Sequence, residues 1–483
     1  MQVAEVETGN PAGDLAGARR PADAGPVPKH SHRDRRDGHE GDQDVLHQQP
    51  VFGAELRRLR TAAGLTLERF ASSVHYSKGQ LSKIENGHKR PSPEFARMCD
   101  AVLGADGALA ALVPRIPHAR GSKLPPDQAG AAMRRRPDPP VPFDPAAGDS
   151  TPTRRQVMAV GAVSVLAVTP AHGGAPVAPT PHRPDPGPDI LAASRDLFAQ
   201  FRRMGQLSPA STLLPVLAEQ TRALRDLAGN CTGGTRSGLL QLSARHAEFA
   251  GWMAQESGDD EAALAWTDQA VCIAEEAGDR DLAAYALTRH ALIRYYQGDA
   301  AGTISLASGA LSAGLPTRIR GLAAQHVGQG HALAGDHASC LRHLDDAREL
   351  LAADRPAPQT PQLGTTHVDD LITMITGWCL LDLGRPRQAA ALLDKACVRL
   401  PAHALRTRAR YGVRRALAHA HNGEVEHACV LARDLLPSIR AADSATIRLD
   451  LRRLSRTLAR FRTVPAVSEL SPDLTAALHA PLH

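Results

Sequence analysis

A glycine-centred pattern occurs five times in the second half of the chain and constrains its fold more than any other feature. The five segments turn at Gly258, Gly298, Gly335, Gly384 and Gly423. Small residues stand seven positions before each turn, and five and twelve positions after it, with one exception. Seven positions before the turns stand Gly251, Ala291, Gly328, Gly377 and Ala416. Five positions after them stand Ala263, Thr303, Cys340, Ala389 and Ala428. Twelve positions after them stand Ala270, Ala310, Ala347, Ala396 and, as the exception, Leu435. Small side chains at such spacings predict paired helices that approach closely and stack on the next pair.

Composition favours helices in the rest of the chain as well. Aromatic residues make up only 3% of the 483 residues and alanine is abundant, which favours close-packed helices over sheets. Seventeen of the 36 prolines fall between residues 114 and 188, where we expect extended chain. We therefore predict an all-α protein with a disordered tail at 1–50, a helical domain at 51–115, a disordered proline-rich linker at 116–188, an α-solenoid at 189–465 and a tail at 466–483.

An apolar stretch inside the linker, residues 157–168, follows Arg154 and Arg155 and looks like the start of an export signal. Its twelve residues are fewer than the roughly 20 that a membrane-crossing helix needs. A secretory signal also belongs at the N-terminus, not in the middle of a chain. We expect a linker segment that docks on a neighbouring domain; a twin-arginine-like signal or membrane tether is the alternative.

The repeated segments resemble degenerate tetratricopeptide repeats. Their turn glycines are separated by 40, 37, 49 and 39 residues, whereas the family period is about 34, and the family's large residues are mostly missing. The longest gap contains an inserted loop, DRPAPQTPQLG. The resemblance implies a helical solenoid, with capping helices before Arg236 and after Ala442. We expect the arginines of RLDLRRLSRTLARF, near the C-terminus, to form a solvated face.

Residues 52–113 show apolar residues at helical spacing with short breaks, which predicts four short helices. Gly64 and Gly87 suit the left-handed conformation that follows a helix, and Thr66 suits an N-cap. The second helix is predicted from Leu67 to about Val74, and the third begins after a three-residue break. Two short helices joined by a tight turn, the second with an exposed polar face, predict a helix-turn-helix that places this second helix in the major groove of DNA.

The segment GLTLERFASSVHYSKGQLSKIENGHKRPS resembles the XRE family of helix-turn-helix regulators, which includes the phage repressors. The resemblance covers residues 52–112 and implies sequence-specific binding of double-stranded DNA. Two positions depart from the family pattern. Gly79 stands where relatives often carry a longer polar side chain, which leaves one base contact open. Leu67 stands where many relatives carry a glutamine that contacts a phosphate, and we expect that contact to be absent.

The resemblance also assigns residues to roles by position. The base readers it implies are Ser77, Lys78, Gln80, Ser82 and Lys83. The phosphate contacts it implies are His88, Lys89 and Arg90. It implies a structural salt bridge between Arg60 and Glu85 beneath the recognition helix. Only six of the 56 basic residues are lysines, and three of them fall within twelve residues here. This clustering favours a binding site over solvated surface charges.

Solenoids of this type bind ligands on the concave side, which is lined by the first helix of each pair. The alignment of the five segments projects Glu248 and eight further residues onto that side. The eight candidate ligand-groove residues are Arg245, Trp252, Tyr285, Tyr295, Gln325, Gln329, Trp378 and Arg410. The alternative is that Trp252 and Trp378 pack between helices.

Several classes of function lack a sequence signal. The seven cysteines are scattered without a C-x-x-C pair, so neither a disulfide framework nor a zinc site is indicated. The pairs His30 with His32 and His419 with His421 would point to different faces of a helix, so we expect no metal site. A phosphate loop, a nucleophile elbow and a glycine-rich dinucleotide turn are all missing, and we expect neither an enzyme nor a cofactor.

These observations predict a cytoplasmic transcription regulator that binds DNA as a homodimer and does not insert into a membrane. Its repeat domain would sense a peptide, a small molecule or a partner protein. By resemblance, peptide-sensing quorum regulators share this layout, but no residue here identifies a peptide. The alternative function is a protein-interaction scaffold whose helix-turn-helix is weak or repurposed.

Overall fold

The computed structural model describes residues 49–113, 187–355 and 361–480. The predicted N-terminal tail up to residue 48, almost all of the linker and the apolar stretch 157–168 lie outside the described residues. Within the described ranges the chain forms 19 α-helices and no strand, so the all-α prediction is confirmed. None of these helices combines the length and the apolar character that crossing a bilayer requires.

The first described range folds into five helices around one small core. They are α1 (Gln49–Ala62), α2 (Leu67–Ser73), α3 (Lys78–Glu85), α4 (Pro93–Leu103) and α5 (Ala108–Ala111). The sequence pattern predicted the first four of these helices and missed α5. The core they share consists chiefly of fully buried side chains, namely Phe52, Leu56, Phe70, Leu81, Phe95 and Leu109.

The remaining helices form packed pairs, consistent with a solenoid. Two helices, α6 (Gly187–Leu207) and α7 (Ala210–Gly229), precede the repeats. The repeat helices are α8 (Gly233–Ser257), α9 (Asp260–Glu276), α10 (Asp281–Tyr296), α11 (Ala300–Ser308), α12 (Thr317–Ala334), α13 (His337–Ala353), α14 (Leu371–Asp382), α15 (Pro386–Cys397), α16 (Leu405–His421) and α17 (Val425–Ala442). The chain then continues into α18 (Ala445–Leu458) and α19 (Pro465–His479).

The five turn glycines end the first helix of each pair, as the repeat pattern predicts. All five have positive φ angles, between 71° and 92°, which glycine adopts without steric cost. The small residues before and after the turns face each other. A Cβ atom added at Gly251 would lie 3.1 Å from the carbonyl oxygen of Ala263, and one added at Gly328 would lie 3.1 Å from that of Cys340. Larger side chains at these positions would push the paired helices apart.

Two predictions about the C-terminal part are wrong. The segment predicted as a tail from residue 466 forms α19, because Leu470 and Leu474 lie on one face of a helix and are buried in the core shared with α17 and α18. The arginines of α18 do not all face solvent. Arg448 pairs with Asp443 and Arg453 pairs with Asp382, at N–O distances of 2.6 and 3.0 Å.

Histidines are buried in neutral form at three places in the repeat domain. Burial lowers the pKa of His246 and of His326 to about 4, and the pKa of His421 to about 3, from an ordinary value of 6.5. In the unfolded chain these rings take up protons near pH 6.5, whereas in the folded chain they resist protonation. The folded state therefore loses stability as the pH falls from 6.5 toward 4.

We predict that the free energy of unfolding falls steadily over this pH interval, by up to about 1.4 kcal/mol per pH unit for each histidine. Urea unfolding at a series of pH values measures it. His246→Asn keeps a donor near the carbonyl of Leu242, to which the histidine ring bonds, but removes the titrating ring. This variant should show a shallower pH dependence than the parent. If the free energy of unfolding depended on pH equally in the two proteins, His246 would not be buried in neutral form.

Candidate functional site

Side-chain caps mark where α2 and α3 begin. The hydroxyl of Thr66 accepts a hydrogen bond from the backbone N–H of Arg69, and that of Ser77 accepts one from the N–H of Gln80. Between the helices, His75 adopts a positive φ of 51°, which is uncommon for a residue other than glycine. These constraints fix where α3 begins and which of its faces points outward.

The outward face of α3 carries the residues that the sequence assigned to base reading. Ser77, Lys78 and Lys83 are exposed, while Gln80 and Ser82 are half-buried. Ser77 is already engaged as the N-cap, and Ser82 accepts a hydrogen bond from Asn86 at 3.3 Å. The three residues predicted to contact phosphates, His88, Lys89 and Arg90, are all exposed in the segment after the helix.

Few carboxylates compete for these cations. Lys78 lies 3.6 Å from Glu68, and both side chains are largely exposed, so this pair is weak. Among the described residues no carboxylate forms an ion pair with Lys83 or Lys89. Arg69 of α2 is exposed and equally lacks such a partner, and the sequence reasoning had not selected it. The surface around α3 thus presents Arg69, Lys83 and Lys89 without ion-paired carboxylates among the described residues.

An ion-pair cluster beneath α3 holds it against α1. Arg60 donates to both carboxylate oxygens of Glu85, at 2.7 and 3.2 Å, and to the carbonyl of Leu65. This is the pair that the sequence singled out. Arg57, which was not predicted, adds a bond of 3.3 Å to the same buried carboxylate. Gly53 permits this approach, since a Cβ atom there would lie 2.4 Å from the carbonyl oxygen of Glu85.

The comparison with known families identifies this part of the chain. Residues 51–113 match the family model of a helix-turn-helix domain. The match coincides with the first described range, and it supports a DNA-binding role for the domain. No curated protein matches the chain.

The helix-turn-helix domain contacts the repeat domain through the turn that precedes α3 and through α4. Arg460 donates to the backbone carbonyl of His75 at 2.8 Å, and its guanidinium lies 4.2 Å from the ring centre of Tyr76. Arg453 forms an ion pair of 3.7 Å with Glu94 of α4. Although burial favours the neutral acid, Arg453 and Arg97 hold the pKa of Glu94 at about 2. Glu94 is therefore ionised at neutral pH.

Three successive turn glycines of the repeats form the surface on which the helix-turn-helix domain rests. Gly335 approaches Gly107, where an added Cβ would lie 3.3 Å from the Cα of Gly107. A Cβ at Gly384 would lie 2.5 Å from the carbonyl oxygen of Arg97, and one at Gly423 would lie 2.7 Å from Nδ1 of His75. These contacts leave no room for a side chain at Gly384 or Gly423.

A second candidate site is a cavity of about 370 Å3 inside the repeat domain. Seven of the eight predicted groove residues line it, namely Arg245, Trp252, Tyr285, Gln325, Gln329, Trp378 and Arg410, and so does Glu248. Tyr295 does not. Its hydroxyl donates to Asp382 and its ring packs on Trp378, so it is a core residue, and the neighbouring Tyr296 lines the cavity instead.

Sequence reasoning missed several of the polar groups in this cavity. Arg289 stands four residues after Tyr285 on α10, so the helical period could have revealed it. Arg202 belongs to α6, which precedes the repeated pattern, and no internal alignment could have found it. Burial lowers the pKa of His326 and of His367 to about 4, so these histidines are neutral at pH 7 and the positive charge of the lining comes from arginine.

Asp394, His419 and His427 also come together, with potential metal-ligand atoms within 4.8 Å of one another. Hydrogen bonds engage Asp394 and His419, and the ring of His427 packs on that of His419 with ring centres 4.5 Å apart. His419 contacts Asp394 through Nε2 at 3.0 Å and Glu424 through Nδ1, so both ring nitrogens have carboxylate partners. Arg415 also donates to Asp394, at 2.5 Å. We therefore interpret this cluster as an ion-pair network.

The contact at Gly384 can be tested with a matched variant. Gly384→Ala should displace α4 of the helix-turn-helix domain, because the new methyl group would overlap the Arg97 carbonyl. Gly298→Ala imposes a similar strain at its positive φ of 78°, but nothing lies within 4 Å of the added Cβ. We predict faster amide hydrogen exchange at residues 93–103 in Gly384→Ala and parental exchange there in Gly298→Ala. Equal exchange in both variants would show that the two domains do not pack through this glycine.

Proposed function

We propose that the protein is a sequence-specific transcription regulator whose repeat domain senses an effector and joins two copies of the chain. The observation that carries the proposal is the cationic outer face of α3 in a helix-turn-helix domain, which remains exposed while the preceding turn and α4 contact the repeats. The resemblance of residues 52–112 to the XRE family adds the expectation that this face reads sequence. A chromosome-bound regulator of this kind would act in the cytoplasm.

On this proposal, Lys78, Gln80 and Lys83 read bases in the major groove, with Ser77 and Ser82 beside them. Lysine and glutamine offer donors to guanine and adenine edges, and each good contact discriminates by about 1–3 kcal/mol. His88, Lys89 and Arg90 would contact phosphates and set the position of the helix along the duplex. Arg69 is a further candidate for a phosphate contact, since its side chain is exposed on α2.

A continuous set of contacts supports a link between the cavity and the helix-turn-helix domain. Arg414 stacks 3.4 Å from the ring centre of Trp378 and forms an ion pair of 2.6 Å with Asp450. Asp450 pairs with Arg453, which in turn pairs with Glu94. A shift of Trp378 on effector binding would therefore act on a charge that contacts α4.

Gly384→Ala, which disturbs the same contact region, should change DNA affinity several-fold relative to Gly298→Ala.

Dimer formation follows from the size of one helix-turn-helix domain. A single domain covers about one half-site, and useful affinity normally requires two domains about 34 Å apart on the duplex. The repeat domain is the part of the chain large enough to join them. Light scattering during size-exclusion chromatography should give twice the mass of the chain, and footprints should show two protected half-sites.

The DNA-binding proposal predicts specific losses of affinity. Selection of bound fragments from the source genome, followed by fluorescence anisotropy, gives the operator and its dissociation constant. Lys83→Ala should weaken operator binding about tenfold while changing nonspecific binding little, because a base contact is lost. Lys89→Ala should weaken binding to all sequences and reduce the salt dependence by about one released counterion.

Lys395→Ala is the matched control, because Lys395 is an exposed lysine of α15 in the repeat domain. It should bind DNA like the parent protein. If the parent selects no fragment even at low ionic strength, or if Lys395→Ala is impaired as much as Lys83→Ala, the proposal is wrong. The scaffold interpretation of the repeats would then be favoured.

A further inference from the structure

The cavity of the repeat domain contains more unpaired hydrogen-bond donors than acceptors. Nε and Nη1 of Arg245, Nε2 of Gln329, Nε1 of Trp378 and Nε of Arg410 are buried without a hydrogen-bond partner. Arg245 is only 6% exposed, and its Nη2 forms an ion pair of 3.0 Å with Asp279, which leaves Nε and Nη1 as the unpaired donors. Gln329 is fully buried. Buried polar groups are normally paired, because an unpaired donor costs free energy. The main unpaired acceptor of the lining is Oε1 of Gln325. A ligand that satisfies this cavity would bring acceptor oxygens.

Positive charge around the cavity also exceeds negative charge. Arg202 donates to the carbonyl oxygens of Gln362 and Gly364, and among the described residues no carboxylate forms an ion pair with it. Burial lowers the pKa of Arg202, although the carboxylate of Glu248 acts in the opposite direction. Arg410 shares the carboxylate of Glu256 with Arg406, so two guanidinium groups meet one carboxylate there.

Aromatic side chains form a large part of the remaining surface of the cavity. Seven of the sixteen aromatic residues in the chain line it, which concentrates a scarce residue type at one place. Trp252 packs on Phe249 with ring centres 5.4 Å apart, and Trp378 packs on Tyr296 at 6.0 Å. Such walls accommodate a planar apolar body. The volume of 370 Å3 lies in the range of about 300–1,000 Å3 that is typical of small-molecule sites.

We infer that this cavity binds a small organic anion, with a carboxylate, phosphate or sulfonate oxygen bound by Arg202, Arg245 and Gln329 and a planar ring system held between the aromatic walls. The inference deepens the proposed sensing role and depends on it for its biological meaning. The sequence left a peptide, a small molecule and a partner protein open as effectors, and this inference selects the small molecule. Arginine suits such a site because its fork of donors matches the geometry of these anions and it stays charged when buried.

The test uses two fluorescent probes and the full chain. The probe 8-anilinonaphthalene-1-sulfonate is a planar organic anion, and N-phenyl-1-naphthylamine has the same ring system without the sulfonate. We expect one saturable site that binds the sulfonate at least about tenfold more tightly than the uncharged probe, since charged hydrogen bonds inside a protein contribute strongly. Failure of the sulfonate to bind, or equal affinities for the two probes, would overturn the inference.

Arg202→Met tests the role of the cation in anion binding. Among the described residues Arg202 forms no ion pair, so removing its charge leaves no carboxylate without its partner. The variant should weaken binding of the sulfonate about tenfold and leave the uncharged probe unchanged. Arg342→Met removes an exposed arginine from α13 and is the matched control. Thermal unfolding should show that both variants are folded. If Arg202→Met weakens both probes equally, or Arg342→Met acts like it, anion recognition at this cavity is wrong.

Gln329→Leu provides a second, uncharged variant. It removes a fully buried unpaired donor of the cavity and should also reduce binding of the sulfonate selectively. Unchanged affinity for the sulfonate would remove Gln329 from the site. These measurements contain no DNA. A protein that binds the sulfonate as described but selects no DNA fragment would overturn the regulator proposal and leave the anion site standing.

Discussion

The stacking of the repeat helices depends on close approach at positions that carry glycine or alanine. Where Gly251 faces Ala263 and Gly328 faces Cys340, backbone atoms take the place that side chains would fill elsewhere. Protein interiors tolerate little change in volume, so one added methyl group at such a position must move a whole helix. The spacing of the paired helices therefore depends on these contacts.

The turn glycines add a second consequence. Their positive φ angles end one helix and allow the next to begin. Because they have no side chain, other parts of the chain can approach them closely. The helix-turn-helix domain contacts the repeats at Gly335, Gly384 and Gly423. One residue type thus shapes the repeats and also positions the domain that carries the cationic helix. The helix-turn-helix domain and the repeat domain are therefore in direct contact.

A group of buried and half-buried charges meets at this contact. Glu94, Arg453, Asp382 and Asp450 form a compact group, with Glu94 supplied by the helix-turn-helix domain and the others by the repeats. Leaving one member of such a group unpaired costs more free energy than the intact pair contributes. The arrangement therefore favours one docked orientation over alternatives that would bury an unpaired charge.

The sequence by itself determined the helical class, the position of the helix-turn-helix, the turn glycines and eight of the residues that line the cavity, because all of these follow from local spacing. The 3.6-residue period of the helices and the period of about 40 residues between turn glycines can both be read from the chain. The salt bridge between Arg60 and Glu85 was predicted from a family pattern. Only the tertiary structure decided that Arg202 of α6 faces the same cavity as Arg245 of α8, that Tyr296 and not Tyr295 lines it, and that Arg453 meets Glu94. These contacts join residues that are distant in sequence and share no repeat, so their geometry depends on how the helices stack.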